Sequence, residues 1–252
     1  MRKLVIANQK GGSGKTTTTV NLAGALAEQE ARVLVVDLDP QGNASRWLGA
    51  PSDGQAMLGV LAGDQKLEEI IKPSKVEGID VAPGGAWLAT AERALASEVG
   101  AELALREVLA STSSSWDFVL IDTPPTLGLL TISALVAADE VLAPVEASSL
   151  AVVGLGDLLK TVERVRARLN PTLRWLGVVA TRVDLRTRVS REIVGLLRNR
   201  FGEDAFETVV RESVRFREAP SHQSWMGQYD AHGVGHRDYR SLAVEVVERR
   251  VA

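Results

Sequence analysis

Apolar residues along this chain come in short unbroken runs with longer amphipathic stretches between them. Leu4-Val5-Ile6-Ala7, Val33-Leu34-Val35-Val36, Phe118-Val119-Leu120-Ile121 and Val141-Leu142-Ala143 show no polar alternation. That is the pattern of strands buried on both faces of a parallel sheet. Shorter strand signals lie at 79–81, 176–181 and 208–210. Apolar spacing predicts helices over 18–28, 55–62, 86–97, 101–111, 127–138, 150–169, 187–201 and 237–250. Gly100 separates two of these helices, and Asn170-Pro171 stops another. The polar run 111–115 lies between a helix and a strand and reads as a loop rather than a linker. Strands alternating with helices predict an α/β fold, a single doubly wound and mostly parallel sheet with helices on both faces, with residues 1–252 forming one domain.

Composition narrows the chemistry. The chain has 252 residues, 45% of them hydrophobic, enough for a full core. It has no cysteine, which excludes disulfides, Cys-based zinc sites and Cys-ligated iron–sulfur clusters. The N-terminus runs directly into an apolar strand, leaving no room for a signal peptide. The most apolar stretch, 126–138, is shorter than the roughly 20 residues that cross a bilayer. The expectation is a soluble, cytoplasmic protein. Net charge is −3, but the stretch from Lys160 to Arg217 holds 14 Lys/Arg against 7 Asp/Glu. An acidic body with a basic segment suggests a localised anion-binding face, and arginine-rich solvated helices are the competing reading.

The first apolar run leads into Lys10-Gly11-Gly12-Ser13-Gly14-Lys15-Thr16-Thr17 and then a helical pattern. Strand, glycine-rich turn and helix are the context of a phosphate-binding loop. The glycines let backbone N–H groups curl round a polyphosphate, and the helix N-terminus adds partial positive charge. Lys15 is placed to reach the β- and γ-phosphates, and the Thr16 hydroxyl to reach Mg²⁺. The strict spacing would put its first glycine at Gln9, so this loop is the deviant form, with an extra lysine at position 10. Asp122 ends an apolar strand about a hundred residues later, where a Walker B acid would hold Mg²⁺, and a turn-capping Asp is the plainer reading. Asp37 and Asp39 flank the end of another strand, at the edge of an α/β sheet where ligands sit. One could orient an attacking water and the other support the metal or a lysine, although an Asx turn has the same sequence.

The loop, Val36-Asp37-Leu38-Asp39-Pro40-Gln41-Gly42-Asn43 and Leu120-Ile121-Asp122-Thr123-Pro124-Pro125 together resemble the ParA/MinD class of P-loop ATPases. The second piece resembles specifically the Soj-type ParA DNA-partition proteins. The similarity continues through Asp184-Leu185-Arg186-Thr187-Arg188, Ser213-Val214-Arg215-Phe216-Arg217-Glu218-Ala219-Pro220-Ser221 and the closing helix. It implies a weak, partner-stimulated ATPase that uses ATP and Mg²⁺ and forms a homodimer around two nucleotides. Lys10 would be the signature lysine that crosses to the partner's nucleotide. Lys15 and Asp39 would join it in catalysis, with Asp39 positioning water. Gly11, Gly12, Ser13, Gly14, Lys15, Thr16 and Thr17 would bind the phosphates, and Thr16, Asp37, Asp39 and Asp122 would form the metal side. Arg186 and Arg215 match the DNA-contacting arginines, and both lie in the basic segment. The partners implied are a ParB-like protein and nonspecific double-stranded DNA, with nucleoid association and no membrane.

Some positions depart from that pattern. Ser13 stands where the family has valine, Glu146 where it has glutamine, and Val210-Arg211-Glu212-Ser213 where it has Ile-Pro-Arg-Asn. The proline normally lies near adenine, so Thr181, Arg182 and Arg211 become the candidates there. His222, His232 and His236 have no metal-ligand spacing and read as loop histidines. Trp47 and Trp225 fall in expected loops, where Trp47 could report nucleotide state or simply pack. A MinD-like membrane switch would need a basic, bulky amphipathic C-terminal helix, and 242–250 reads better as a helix packed on the fold. A positioner of protein cargo would share the same chemistry. A metabolic kinase or ligase would have no evident use for Lys10.

Overall fold

The computed structural model describes residues 1–95, 98–112, 115–148 and 151–249, the side chains of 151–154 excepted. The strands are β1 (Arg2–Ile6), β2 (Val33–Asp37), β3 (Lys72–Pro73), β4 (Ile79–Ala82), β5 (Phe118–Asp122), β6 (Glu140–Glu146), β7 (Arg174–Val183) and β8 (Ala205–Arg211). They form one sheet in the order β3-β4-β2-β5-β1-β6-β7-β8. Every described pairing is parallel except β3 with β4. The expected mostly parallel, doubly wound sheet is therefore what the chain forms.

Alternate residues of the apolar runs sort to opposite faces, as the period of two in a strand requires. Val5, Leu34, Val36, Val119, Ile121, Val141 and Ala143 join one core, packed under the helices Gln55–Ala62, Ala104–Ser111, Leu129–Ala137, Ala151–Arg168 and Arg188–Phe201. Leu4, Ile6, Val33, Val35, Leu120 and Leu142 join the other, under Lys15–Ala27, Asn43–Trp47, Met226–Tyr229 and Val234–Glu248. Both faces are dry, which is why β1, β2, β5 and β6 read as unbroken apolar runs.

Differences from expectation lie at the edges. Strand β7 runs from Arg174 to Val183, longer than 176–181, and β8 covers Ala205–Arg211 rather than 208–210. The expected helix 101–111 opens with a 3₁₀ turn, Ala101–Leu103, before Ala104–Ser111. The expected helix 86–97 is Leu88–Ala94, and residues 96 and 97 lie outside the described residues. So do residues 113 and 114 of the expected loop, residue 150 of one helix and residue 250 of the last. That last helix begins earlier than expected, at Val234. Trp47 and Trp225 are core residues, both 5% exposed, and the Trp47 indole N–H donates to the Ser224 carbonyl at 2.9 Å. His236 is not in a loop: it is buried on the closing helix, its Nδ1 2.7 Å from the Ala231 carbonyl and its Nε2 3.0 Å from Glu28 Oε1.

Gly24, inside the Lys15–Ala27 helix, admits the Trp225 ring. A Cβ there would fall 2.2 Å from the indole, closer than van der Waals contact allows. Gly24→Ala is expected to lower stability by about 1–3 kcal/mol through overpacking, read as an earlier urea midpoint. An unchanged midpoint would mean that the indole does not seat against this helix.

Candidate nucleotide-binding site

The strand order changes direction around β1, which lies between β5 and β6. In open α/β sheets the crevice at such a point, beyond the strand C-termini, receives ligands. The loop of Lys10 to Thr17 leaves β1 at this place. Asn8 fixes its root: its amide donates to the Pro144 carbonyl on β6 at 2.7 Å, and its Oδ1 accepts the Lys10 backbone N–H at 3.0 Å. Gly12 and Gly14 have φ of 76° and 89°, a region side chains rarely adopt. A Cβ on Gly11 or Gly12 would meet nothing within 4 Å, so the concavity of the loop is open. The helix Lys15–Ala27 starts at Gly14 without a side-chain cap, leaving its first-turn N–H groups to an incoming anion. The Ser13 hydroxyl is buried and has no hydrogen-bond partner among the described residues, while the Ser13 carbonyl accepts from Thr181 Oγ at 2.8 Å. Thr181 thus props the loop from below. A cavity of about 630 Å³ extends from Gly11, Lys15 and Thr16 past Asp39 to Arg211, Ser213 and Phe216 at the end of β8.

Three acids stand under the loop. Asp37 and Asp122 are directly in register on β2 and β5, and both are fully buried. Asp122 accepts from Thr16 Oγ at 2.7 Å and from Thr19 Oγ at 3.1 Å. Burial, then the neighbouring Asp37, pushes the Asp122 carboxyl up to about 8 against the hydrogen bond from Thr16. Burial likewise raises Asp37 to about 6, opposed by its hydrogen bonds. Those bonds use both Asp37 oxygens: Oδ2 accepts from Ser45 N at 2.9 Å and Ser45 Oγ at 2.6 Å, and Oδ1 from Asp39 N at 3.1 Å. Ser45 Oγ in turn accepts from Gly84 N at 3.0 Å. Asp37 is thereby turned inward as a rivet between β2, the Asn43–Trp47 helix and the loop after β4. Asp39 faces the cavity, one oxygen accepting from Gln41 N at 2.9 Å. Lys15 is buried among these groups. Desolvation lowers the pKa of its ammonium, and Asp122 and Asp39 hold it up.

Among the described residues no group of three or more His, Asp or Glu side chains is arranged to hold a metal alone. A hard cation here would complete its shell with phosphate oxygens and water. The donor set fits one: the Thr16 hydroxyl on a carboxylate oxygen of Asp122, with Asp39 at the cavity wall.

Lys10 lies outside the lining of this cavity. Its ammonium is 2.6 Å from Glu146 Oε2 and 2.9 Å from Ser148 Oγ. Arg182, left-handed at φ 53°, sits at the cavity mouth between Glu212 at 3.0 Å and Glu146 at 3.5 Å. Arg211 also lines the cavity, with its guanidinium on Asp238. Arg186 and Arg215 follow the C-terminal ends of β7 and β8, which pair at Val183 and Arg211. Both segments therefore leave the sheet at the edge that carries the loop. Arg186 is paired with Asp184 at 2.8 Å, and Arg215 with Glu218 at 2.8 Å. Both pairs are solvent-facing, hence weak and exchangeable for another anion. Sequence reasoning missed Asn8, Thr19, Ser45 and the partner role of Glu146. Of these only Glu146 stood out in the sequence, as a departure from the family's glutamine.

Residues 1–175 match a family model described as an AAA domain. The chain is 44% identical over 249 residues to the chromosome-partitioning ATPase Soj of Thermus thermophilus, covering 99% of this chain and 96% of that protein. It is 40% identical over 248 residues to the chromosome-partitioning ATPase Soj of Treponema pallidum, covering 98% of each. Among solved structures, a cobyrinic acid a,c-diamide synthase from Mycobacterium smegmatis with bound ADP and magnesium aligns at 35% identity and TM-score 0.82, over 98% of this chain and 94% of that one. Apo McdA from Cyanothece aligns at 28% identity and TM-score 0.86, over 99% of both chains.

The buried acid pair predicts a pH dependence. A carboxylate whose folded pKa is raised binds its proton more tightly folded than unfolded, so stability falls as pH climbs through the interval between the two values. For Asp122 that interval runs from the ordinary carboxylate range to about 8. The ligand-free protein is expected to lose melting temperature steadily from pH 5 to pH 8.5, and Asp122→Asn to flatten the upper part of that slope. Parallel slopes for the two proteins would contradict it.

Proposed function

The chain belongs to the Soj/ParA family of chromosome-partitioning ATPases, and from this we propose that it is a dimeric switch ATPase that binds nonspecific DNA in its ATP state and segregates DNA with a ParB-like partner. ATP would lie with its phosphates in the loop of Gly11 to Thr17 and its base toward Arg211, Ser213 and Phe216, with Thr181 and Arg182 flanking the path. Thr16, with Asp122 and Asp39 acting through water, would hold Mg²⁺, which neutralises phosphate charge when bound. Asp37 serves this set by fixing the loop that carries Asp39. Lys15 supplies positive charge to the β- and γ-phosphates from a desolvated position, where it acts most strongly. Asp39, exposed to the cavity, orients the attacking water and accepts its proton. Lys10, from the other protomer, stabilises the charge that develops on the γ-phosphate, the role an arginine finger fills elsewhere.

The observation that carries this reading is the pair of lysines on one loop. Lys15 turns into its own cavity and Lys10 turns out of it. Losing the γ-phosphate removes what Lys10 would hold, so hydrolysis opens the dimer. Turnover would be slow until the ParB-like protein and DNA complete the site. Arg186 and Arg215 would grip DNA phosphates without reading bases, placing the protein on the nucleoid in the cytoplasm. A MinD-like membrane role is less well supported. The closing helix spends Tyr239, Leu242, Ala243 and Val246 on the core, and no described helix is long and apolar enough to cross a membrane. Positioning of a protein cargo would use the same chemistry with another partner.

Two experiments test the reading. In sizing with ATP and Mg²⁺, Asp39→Ala is expected to accumulate a dimer, and Lys10→Ala to lose hydrolysis by on the order of 100-fold. A monomer in every nucleotide state would contradict it. Arg186→Ala and Arg215→Ala should abolish ATP-dependent DNA retention and leave ATP binding intact, because each removes a phosphate contact. Unchanged DNA binding in both would remove the DNA assignment.

A further inference from the structure

Lys10 is held at three points. Its backbone N–H is fixed to Asn8 Oδ1, and Asn8 is itself anchored on β6 through the Pro144 carbonyl. Its ammonium is held by Glu146, the last residue of β6, and by Ser148. The second carboxylate oxygen of Glu146 lies 3.5 Å from Arg182 Nη1, and Arg182 reaches Glu212 at 3.0 Å. Glu212 lies 3.3 Å from Arg217. A row of alternating charges therefore crosses the ends of β6, β7 and β8, from the loop lysine to the segment that bears Arg215. The chemistry proposed above gives Glu146 no task. Glu146 lies outside the lining of the nucleotide cavity, and it occupies the ammonium meant for another protomer.

We propose that Glu146 is a positioning residue that parks Lys10 within its own protomer and so sets how much ATP is needed to form the dimer. The proposal rests on the reading of Lys10 as a lysine acting in trans. In the free protomer the ion pair competes with the partner's nucleotide for one ammonium. When Lys10 leaves, Arg182 remains beside Glu146, so the carboxylate is not stranded without a counter-charge. The two side chains are 31% and 23% exposed. A pair of that exposure is worth a small multiple of thermal energy, which is a threshold and not a lock. Glu146→Gln keeps the shape and removes the charge, so it frees Lys10 for the trans contact.

The test is sedimentation velocity during titration with Mg-ATP, with Asp39→Ala in every protein so that assembly is read without turnover. Glu146→Gln is expected to lower the ATP concentration for half-dimerisation by about two- to five-fold, while Glu146→Asp, which retains the charge, stays close to the parent. Nucleotide affinity measured at concentrations too low for assembly should be the same in all three, a result that a general structural role of Glu146 would not give. An unchanged or raised midpoint in Glu146→Gln, with a parent that dimerises, overturns the parking role alone. A parent that stays monomeric at saturating Mg-ATP overturns the trans-lysine reading and the parking role with it. Should Glu146→Gln fail to fold, Ser148→Ala loosens the same ammonium and should move the midpoint in the same direction; no movement there overturns the proposal.

Discussion

The site turns on how the charges of two lysines, five residues apart on the loop after β1, are compensated. Lys15 is buried, and the acids near it, Asp122 and Asp39, are what keep its ammonium charged against desolvation. Lys10 is satisfied by Glu146 on the neighbouring strand. One loop thus points one cation into its own cavity and one away from it. The sheet makes this possible by putting β1 between β5, which brings Asp122, and β6, which brings Glu146. The acids below the loop are in turn a constraint on the ligand. Asp37 and Asp122 are in register at buried strand ends, and burial with the neighbouring Asp37 holds a proton on Asp122, so a cation bound there would compete with that proton.

Much of this was legible in the sequence, and the reason is local. A strand buried on both faces is written as a continuous apolar run, so β1, β2, β5 and β6 could be read directly. Gly12 and Gly14 announce a backbone that needs left-handed φ, and Lys15 and Thr16 follow at fixed distance on the first helical turn. Asp122 could be found because it ends its run. Where an element depends on its neighbours, the reading failed. Strand β3 is a Lys-Pro pair that exists only by pairing with β4, and β8 carries an exposed Glu207 amid its apolar residues. The arginines at the two ends of β7, Arg174 and Arg182, hid its full length. Ser45 and Thr19 hold the acids through contacts that no spacing rule encodes, and the pairing of Glu146 with Lys10 spans 136 positions.

The basic segment has a structural explanation in the same terms. Five of its arginines show three different uses. Arg174 neutralises buried Glu140 together with Arg2, Arg182 and Arg211 stand at the cavity on acidic partners, and Arg186 and Arg215 are turned to solvent on pairs of their own. Local charge excess alone could not separate these uses. Strand order does, because the segments after β7 and β8 leave the sheet at the same edge as the phosphate loop, where a change of nucleotide state would be felt first.

Complementation between two inactive variants tests the trans placement of Lys10 most directly. Lys10→Ala keeps an intact nucleotide site but offers its partner no lysine, and Lys15→Ala loses its own site but can still offer Lys10. Each alone should be inactive, and an equimolar mixture should regain ATP hydrolysis because mixed dimers contain one complete site. A mixture as inactive as its components would contradict a lysine that works across the dimer.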